Sequence, residues 1–539
     1  IDDRAGALAA FALAMKAAAR LGRRRFLRME VKPDIVVLQN VTFTPAEMQD
    51  VPAVVGRDLF TDEFRETLGQ FEQAKNFGSL IVPKLRDPAE TLRVVEARDF
   101  GGDLLLKEVQ ERVVSVLRMA EALSPKYHVV VANPPYMGGT GMNSALRNFL
   151  KGHFKECSND LYAAFMWRLM HFVKANGVSG IMTPFTWMYL SSFEKLRKRL
   201  VEGMDLQSLI KPQYHTLFDS AAVPISAYCI ARHAPRERAS TFFDLEQFKR
   251  REDQAPRLQE AIKDRSVPWR FDVPTKKLKA VPGTPVAFSL SDGVLKAFAT
   301  DRFSHHSKSS FGIKTGNNEK FLLAWHEVEL RKTDLRADGS SFDKRWYPCA
   351  SGGAFRRWYG NSFFVVDYED QGKRIEQYAQ ENGNSYGFNG SRMYFKRLIT
   401  WPKLTSSTNS FRATLGGHIF DGVGLSADFP DESDYFHALL AANSAVIRHI
   451  TPIIAPTMSL TSGDFDKLPF LSAAKTTRDH AKKLIETSRS DWDAYETSWD
   501  FTTLPLLSPD HRAGTLEATY ATLRAHWQSM TDEMQRLEE

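Results

Sequence analysis

An apolar run, Tyr127-His128-Val129-Val130-Val131-Ala132, stops at Asn133-Pro134-Pro135-Tyr136, and no other stretch restricts the fold of this chain as sharply. A short run rich in β-branched residues and bounded by turn signals reads as a buried parallel strand. Proline fixes φ and carries no N–H, so two in succession end the strand in a stiff turn whose carbonyls face outward. Strands and helices alternate around this run, which predicts an open α/β sheet with helices on both faces. Such sheets bind ligands beyond the carboxyl ends of their strands, and the tetrad lies there.

A carboxamide, a proline carbonyl and a phenol within four residues suit the holding of an exocyclic amine. The lone pair of adenine's amino nitrogen is delocalised into the ring, so it attacks a methyl sulfonium poorly. A general base helps little, because the proton becomes acidic only as the new bond forms. Acceptors that hold both amino hydrogens stabilise the positive charge of the transition state. Asn133 supplies one acceptor through its side chain and Pro134 a second through its backbone, while Pro135 stiffens the turn. Tyr136 offers a π face to an extruded base. An amino-methyltransferase acting on a flipped base is the first expectation. The competing explanation is that Asn and Pro stand at this strand end only as turn residues.

With 539 residues, the chain can bury two or three cores. Cys157, Cys229 and Cys349 lie far apart and form no metal-spaced pair, so neither a disulfide framework nor a metal site is expected, and a reducing cytoplasm fits. A net charge of +6 is compatible with a polyanionic partner. The apolar stretch 181–190 is too short for a bilayer and contains Pro184, so no membrane role is expected. Because Ile1 stands where Met is usual and an Ala-rich helix begins within a few residues, the chain reads as a fragment of a longer protein.

Helices are expected over residues 5–20, 62–75, 102–122, 160–174 (ended by Asn176-Gly177) and 192–201, and strands over 33–38, 178–183, 206–210 and 225–231. The expected domains are a catalytic sheet at 1–240, a helical connector and Pro-rich linker at 241–300, a mixed α+β module at 301–470, and a helical tail at 471–539.

Around the tetrad, Ile1-Asp2-Asp3-Arg4-Ala5, Asp160-Leu161-Tyr162-Ala163-Ala164-Phe165, and the later Gly177, Gly180, Pro184 and Phe185 complete a pattern. It resembles the gamma-type amino-methyltransferases of DNA. More closely, it resembles the adenine-specific methyltransferases of BREX phage-exclusion systems and the related single-chain restriction–modification enzymes. The resemblance implies a Rossmann-like S-adenosylmethionine-dependent sheet, truncated at its start, then a target-recognition domain and a helical tail. It implies S-adenosylmethionine as cofactor, double-stranded DNA as partner, and other phage-defence subunits as further partners. Ile1 would pack on the cofactor's adenine and Asp2 would lie beside the acid that holds its ribose. The strand end at Gln39-Asn40, where the family usually has Asp, would meet the adenine edge, and Asn133 would border the cofactor. The Gly-rich first motif would lie upstream, so the fragment alone is expected to be inactive. Phe218 falls where the family places an aromatic that stacks on the flipped base opposite Tyr136. Asp160 reads equally as a pocket residue of the family or as a helix N-terminal acid.

Within 301–470, Lys314, Asn317 and Asn318 lie in a turn-rich loop, Arg356, Arg357 and Trp358 lie between glycines, and Lys403 and Ser406 follow Trp401-Pro402. Such loops clamp phosphates and read base edges, and the family's target-recognition domain carries the same patterns. The alternative for each is a core aromatic or an ion-paired arginine. Two other functions remain open on these residues: a defence component that binds DNA without methylating it, and methylation of a protein glutamine amide. Cytosine N4 also remains open as the target.

Overall fold

The computed structural model describes residues 3–28, 33–214, 223–235, 239–405, 408–455, 458–471 and 477–539. The chain divides into two compact units, Ile1–Trp187 with Ser192–Thr275, and Met188–Ser191 with Lys276–Glu539.

The first unit is built on a six-stranded mixed sheet: β1 (Tyr127–Ala132), β2 (Val173–Pro184), β3 (Asp205–Lys211), β4 (Ile225–Ala231), β5 (Ala239–Asp244) and β6 (Arg270–Pro274). Their spatial order is β1-β2-β4-β3-β5-β6. β1 pairs parallel with β2 and β3 with β5, while β4 runs antiparallel to both its neighbours and β6 antiparallel to β5. This is the α/β class expected, and the sheet continues past residue 240, because β5 and β6 extend it to Pro274.

Several expectations need correction. β1 is parallel but not buried: among the described residues it pairs on one side only, and Val129 and Val131, on one face, are 65% and 79% exposed. The segment at 33–38 forms no strand. It has no sheet neighbour among the described residues, and a strand exists only through its ladder. The helix after Asp160 spans Leu161–Phe172 and stops before Asn176-Gly177. Asn176 has a φ of 63° and donates its N–H to the Arg232 carbonyl, while Gly177 accepts from Arg232 N–H. A Cβ at Gly177 would lie 2.7 Å from the His128 carbonyl oxygen. The pair therefore forms an irregular crossing of β2 beside β1, where the close approach requires glycine.

The Leu161–Phe172 helix ties the layers together through Arg168, which is 3% exposed. Its guanidinium donates to the carbonyls of Ser79, Ile81 and Leu123 at 2.9–3.0 Å and lies 3.9 Å from the Phe172 ring centre. Leu123 ends the Leu104–Leu123 helix, so one side chain satisfies three carbonyl acceptors from two other segments. Burial pulls its pKa down to about 10, which leaves it charged at neutral pH.

The second unit contains two four-stranded sheets. One runs Arg412–Leu415, Arg397–Pro402, Gly424–Asp428, Lys308–Ser310 in space, all antiparallel. The other runs Ile419–Phe420, Trp346–Ala350, Phe364–Asp367, Leu322–Ala324. The aromatic residues of this region build its core. Trp401 stacks on Phe465 at 4.3 Å, and Phe303 stacks on the same residue at 4.7 Å. The tail folds as the helices Thr477–Asp493 and Leu516–Glu538, broken by a turn at Pro505–Leu507. Among the described residues, no helix is long and apolar enough to cross a membrane.

Replacing Arg168 by Met would strand three buried carbonyls. The expected loss of stability is on the order of 3 kcal/mol, read as a lower urea midpoint. An unchanged midpoint would show that these bonds do not hold the layers.

Candidate functional site

β1 delivers the tetrad, with Asn133 and Pro135 exposed, Pro134 buried and Tyr136 half-buried. The Tyr136 hydroxyl lies 2.6 Å from Asn133 Oδ1 and 3.3 Å from the Met182 carbonyl near the end of β2. A phenol has one proton to give, and the shorter contact takes it. That bond orients the carboxamide, and an amide oxygen with two lone pairs keeps one for an incoming N–H. The Pro134 carbonyl has no hydrogen-bond partner among the described residues. Two neutral acceptors thus stand next to each other at the strand end.

The Tyr136 ring meets Tyr162 edge to face, at 6.3 Å and 89°. Tyr162 is buried, and its hydroxyl is paired with Thr186 Oγ1 at 2.9 Å. Nearby, Thr183 Oγ1 meets the Tyr228 hydroxyl at 3.1 Å. Burial raises the pKa of all three phenols, so each stays protonated at neutral pH. Sequence reasoning missed the buttressing role of Tyr162; its place two residues after a capping Asp was the signal that it starts a buried helix face.

Asp160 caps that helix, accepting from Tyr162 N–H at 3.3 Å, and also accepts from Met137 N–H at 3.2 Å. Leu161 N–H returns a bond to the Met137 carbonyl at 3.0 Å, and Gly139 N–H bonds the Asn159 carbonyl at 3.2 Å. The loop after the tetrad is therefore stitched to the helix start. Burial pushes the Asp160 carboxyl above its ordinary pKa, and the backbone N–H bonds from Tyr162, Met137 and Leu161 pull it partly back.

Of the other expected residues, Ile1, Asp2, Phe218 and Ser406 lie outside the described residues. Gln39 donates Nε2–H to Asp3 Oδ1 at 2.6 Å, and Asn40 Oδ1 accepts from Lys75 N–H at 2.8 Å. Lys314 is exposed, with Nζ donating to Ser385 Oγ, and Lys403 is exposed. Asn317 spends both ends of its amide, capping the turn at Lys320 N–H and donating to the Tyr378 hydroxyl. Asn318 is exposed, and its Oδ1 accepts from Thr315 Oγ1.

The Arg356-Arg357-Trp358 loop departs most from expectation. Arg356 pairs with Asp491, Arg357 pairs with Glu538 at 2.8 Å, and the Trp358 indole N–H donates to Glu538 at 2.7 Å. Trp358 is 2% exposed and holds a φ of 72°, fixed by backbone bonds to Phe411 and Ala413. It is a core residue here, and the guanidiniums, still partly exposed, each face a carboxylate of one of the two tail helices.

Comparison with known proteins bears on the tetrad's surroundings. Residues 1–218 match the family described as Eco57I restriction-modification methylase. The chain is 28% identical over 99% of its length to "Adenine-specific methyltransferase PglX" of Lacticaseibacillus casei (strain Zhang), covering 45% of that protein. It is 29% identical over 97% of its length to "Adenine-specific methyltransferase BrxX" of Escherichia coli O9:H4 (strain HS), covering 44% of it. The chain is similar to these two proteins along nearly its whole length and spans less than half of theirs. Among solved structures, the Type IIL restriction-modification enzyme MmeI in complex with DNA aligns with 91% of this chain and 79% of its own, at 12% identity and a TM-score of 0.44.

S-adenosylmethionine is the methyl donor expected from the sequence resemblance. Gln39 Oε1 and Asn40 Nδ2 have no hydrogen-bond partner among the described residues. One acceptor and one amide donor are the group types that an adenine edge, with its amine and ring nitrogen, would need.

Asp160→Ala should release the loop from the helix at a cost of about 1 kcal/mol. Hydrogen exchange at Met137 N–H should then quicken roughly fivefold for that energy. Asp160→Asn, which keeps an acceptor oxygen, should restore most of the protection.

Proposed function

We propose that the tetrad holds the amino group of an adenine flipped out of duplex DNA, so that the longer protein methylates its N6 in a phage-defence or restriction–modification setting. The observation that carries this reading is the pair of neutral acceptors, Asn133 Oδ1 and the Pro134 carbonyl, beside the Tyr136 ring at the carboxyl end of β1. The names of the relatives support adenine as the base.

When bound, S-adenosylmethionine supplies an electrophilic methyl group. Gln39 Oε1 and Asn40 Nδ2 would hold its adenine edge, with Ile1, Asp2 and Asn133 as the further cofactor contacts. The chain's own work on the target is positional. Asn133 Oδ1 and the Pro134 carbonyl each accept one amino hydrogen, which directs the nitrogen lone pair out of the ring plane. Positive charge then grows on a nitrogen already facing two partial negative charges. Tyr136 would stack on the base, with Phe218 the residue expected from the resemblance as the second stacking partner, and the Tyr136 hydroxyl keeps the Asn133 oxygen in place. Pro135 holds the turn rigid, so little reorganisation accompanies the reaction. As the N–C bond forms and the sulfonium C–S bond breaks, the nitrogen becomes acidic and releases its extra proton to water, so no group in the tetrad has to lose or gain one. Of the residues expected to contact DNA, this reading retains the exposed Lys314, Asn318 and Lys403.

In the full-length protein, Asn133→Ala should reduce methyl transfer by at least about a hundredfold, as removal of one preorganised hydrogen-bonding group does elsewhere, with DNA binding largely intact. Wild-type activity in that variant would remove the proposed mechanism. Tyr136→Phe keeps the ring and loses only the bond that orients Asn133, so a smaller loss, about fivefold for a bond of ~1 kcal/mol, is expected in the same single-turnover assay.

A further inference from the structure

We propose that a basic cavity beside the Lys308–Ser310 strand grips the phosphodiester backbone of duplex DNA through Lys308 and Arg392. The proposal rests on the reading of the chain as a DNA-modifying protein and assigns it a contact that the motifs did not indicate.

The cavity, of about 500 Å³, is lined by Lys308, Ser310, Ser391, Arg392, Lys396 and Asp428 among others. Its position follows from the strand register. Lys308–Ser310 is the edge strand of its sheet, and Lys308 lies opposite Asp428. Asp428 pairs with Lys396 at 2.8 Å, which fixes one cation at the wall. Lys308 and Arg392 are exposed and have no ion-pair partner among the described residues. Three cations against one carboxylate leave a surplus of positive charge in one concavity.

The opposite wall depends on Gly390, whose φ of 70° turns the chain so that Ser391 and Arg392 border the cavity. A Cβ there would lie 2.5 Å from the Phe420 ring and 3.2 Å from Ser310 Oγ. Glycine is thus required both for the conformation and for the close packing. The exposed Ser391 hydroxyl adds a neutral donor between the charges. Lysine, arginine and serine donors around a roomy groove are the residue types that hold DNA phosphates without reading sequence. The Arg356 and Arg357 guanidiniums, by contrast, already face Asp491 and Glu538.

The test uses the full-length protein and its Lys308→Ala/Arg392→Ala double variant. Each binds a labelled duplex of arbitrary sequence between about 50 and 200 mM salt, a range over which phosphate contacts dominate affinity. The expected result is weaker binding to every duplex alike and a log–log salt slope shallower by about 1.8, from roughly 0.9 per lost phosphate contact. A second variant, Lys308→Arg/Arg392→Lys, keeps both charges and should keep the slope. Wild-type affinity and slope in the double-alanine variant would overturn the clamp while leaving the DNA reading intact. Loss of binding in the charge-keeping variant would also overturn it, because the defect would then be structural. If the unaltered protein binds no duplex, the DNA reading falls and the clamp with it.

Discussion

One half-buried carboxylate sets the geometry of the candidate site. The residues after the tetrad, Met137 to Met142, include three glycines and have little tendency of their own to settle in one shape. Asp160 supplies the missing constraint by accepting backbone N–H groups from Met137 on one side and Tyr162 on the other. Placing a carboxylate there has a desolvation cost, visible in its raised pKa, and the N–H bonds offset part of it. The aromatic geometry is inherited from that cap. The helix begins where Tyr162 can bury its ring, Tyr162 presents an aromatic surface to Tyr136, and Tyr136 orients the Asn133 oxygen.

The chemistry of the site is that of neutral dipoles. Its phenols are kept protonated by burial, and its two available acceptors are a carboxamide and a peptide carbonyl. Such groups do not abstract protons. They stabilise charge that appears elsewhere, and they do so best when held in advance of the reaction. In the proposed reaction, an amino nitrogen attacking an electrophilic carbon develops its charge in the place these acceptors face. The arrangement therefore suits transfer to an amine better than hydrolysis or proton abstraction.

Much of the first unit was legible because its signals are local. Strand β4 matches the expected 225–231, and the helices at Asp3–Leu21, Leu104–Leu123 and Glu194–Gly203 agree with expectation to within a few residues. Failures occurred where the decisive partner is distant in sequence. Asn176-Gly177 has the composition of a helix cap, yet contacts to Arg232 and His128 decide its conformation. The apolar run of β1 implied burial, yet burial depends on which neighbours flank a strand, and a run of valines does not record that. Residues 33–38 have strand propensity without a ladder to join.

The basic residues of the second unit show the same limit in a form that matters for function. Arg356, Arg357 and Trp358 stand out in the sequence because charge and aromatic rings are adjacent there. That adjacency serves the core: the tryptophan enters it, and the arginines meet carboxylates from helices more than a hundred residues later. Lys308, Arg392 and Lys396 form no motif, since the first is separated from the others by more than eighty residues. They share a cavity only because Lys308 pairs in register opposite Asp428, and Asp428 also holds Lys396. A cation available to a polyanion is one that folding has left without a carboxylate, and that is a property of the sheet register before it is a property of composition.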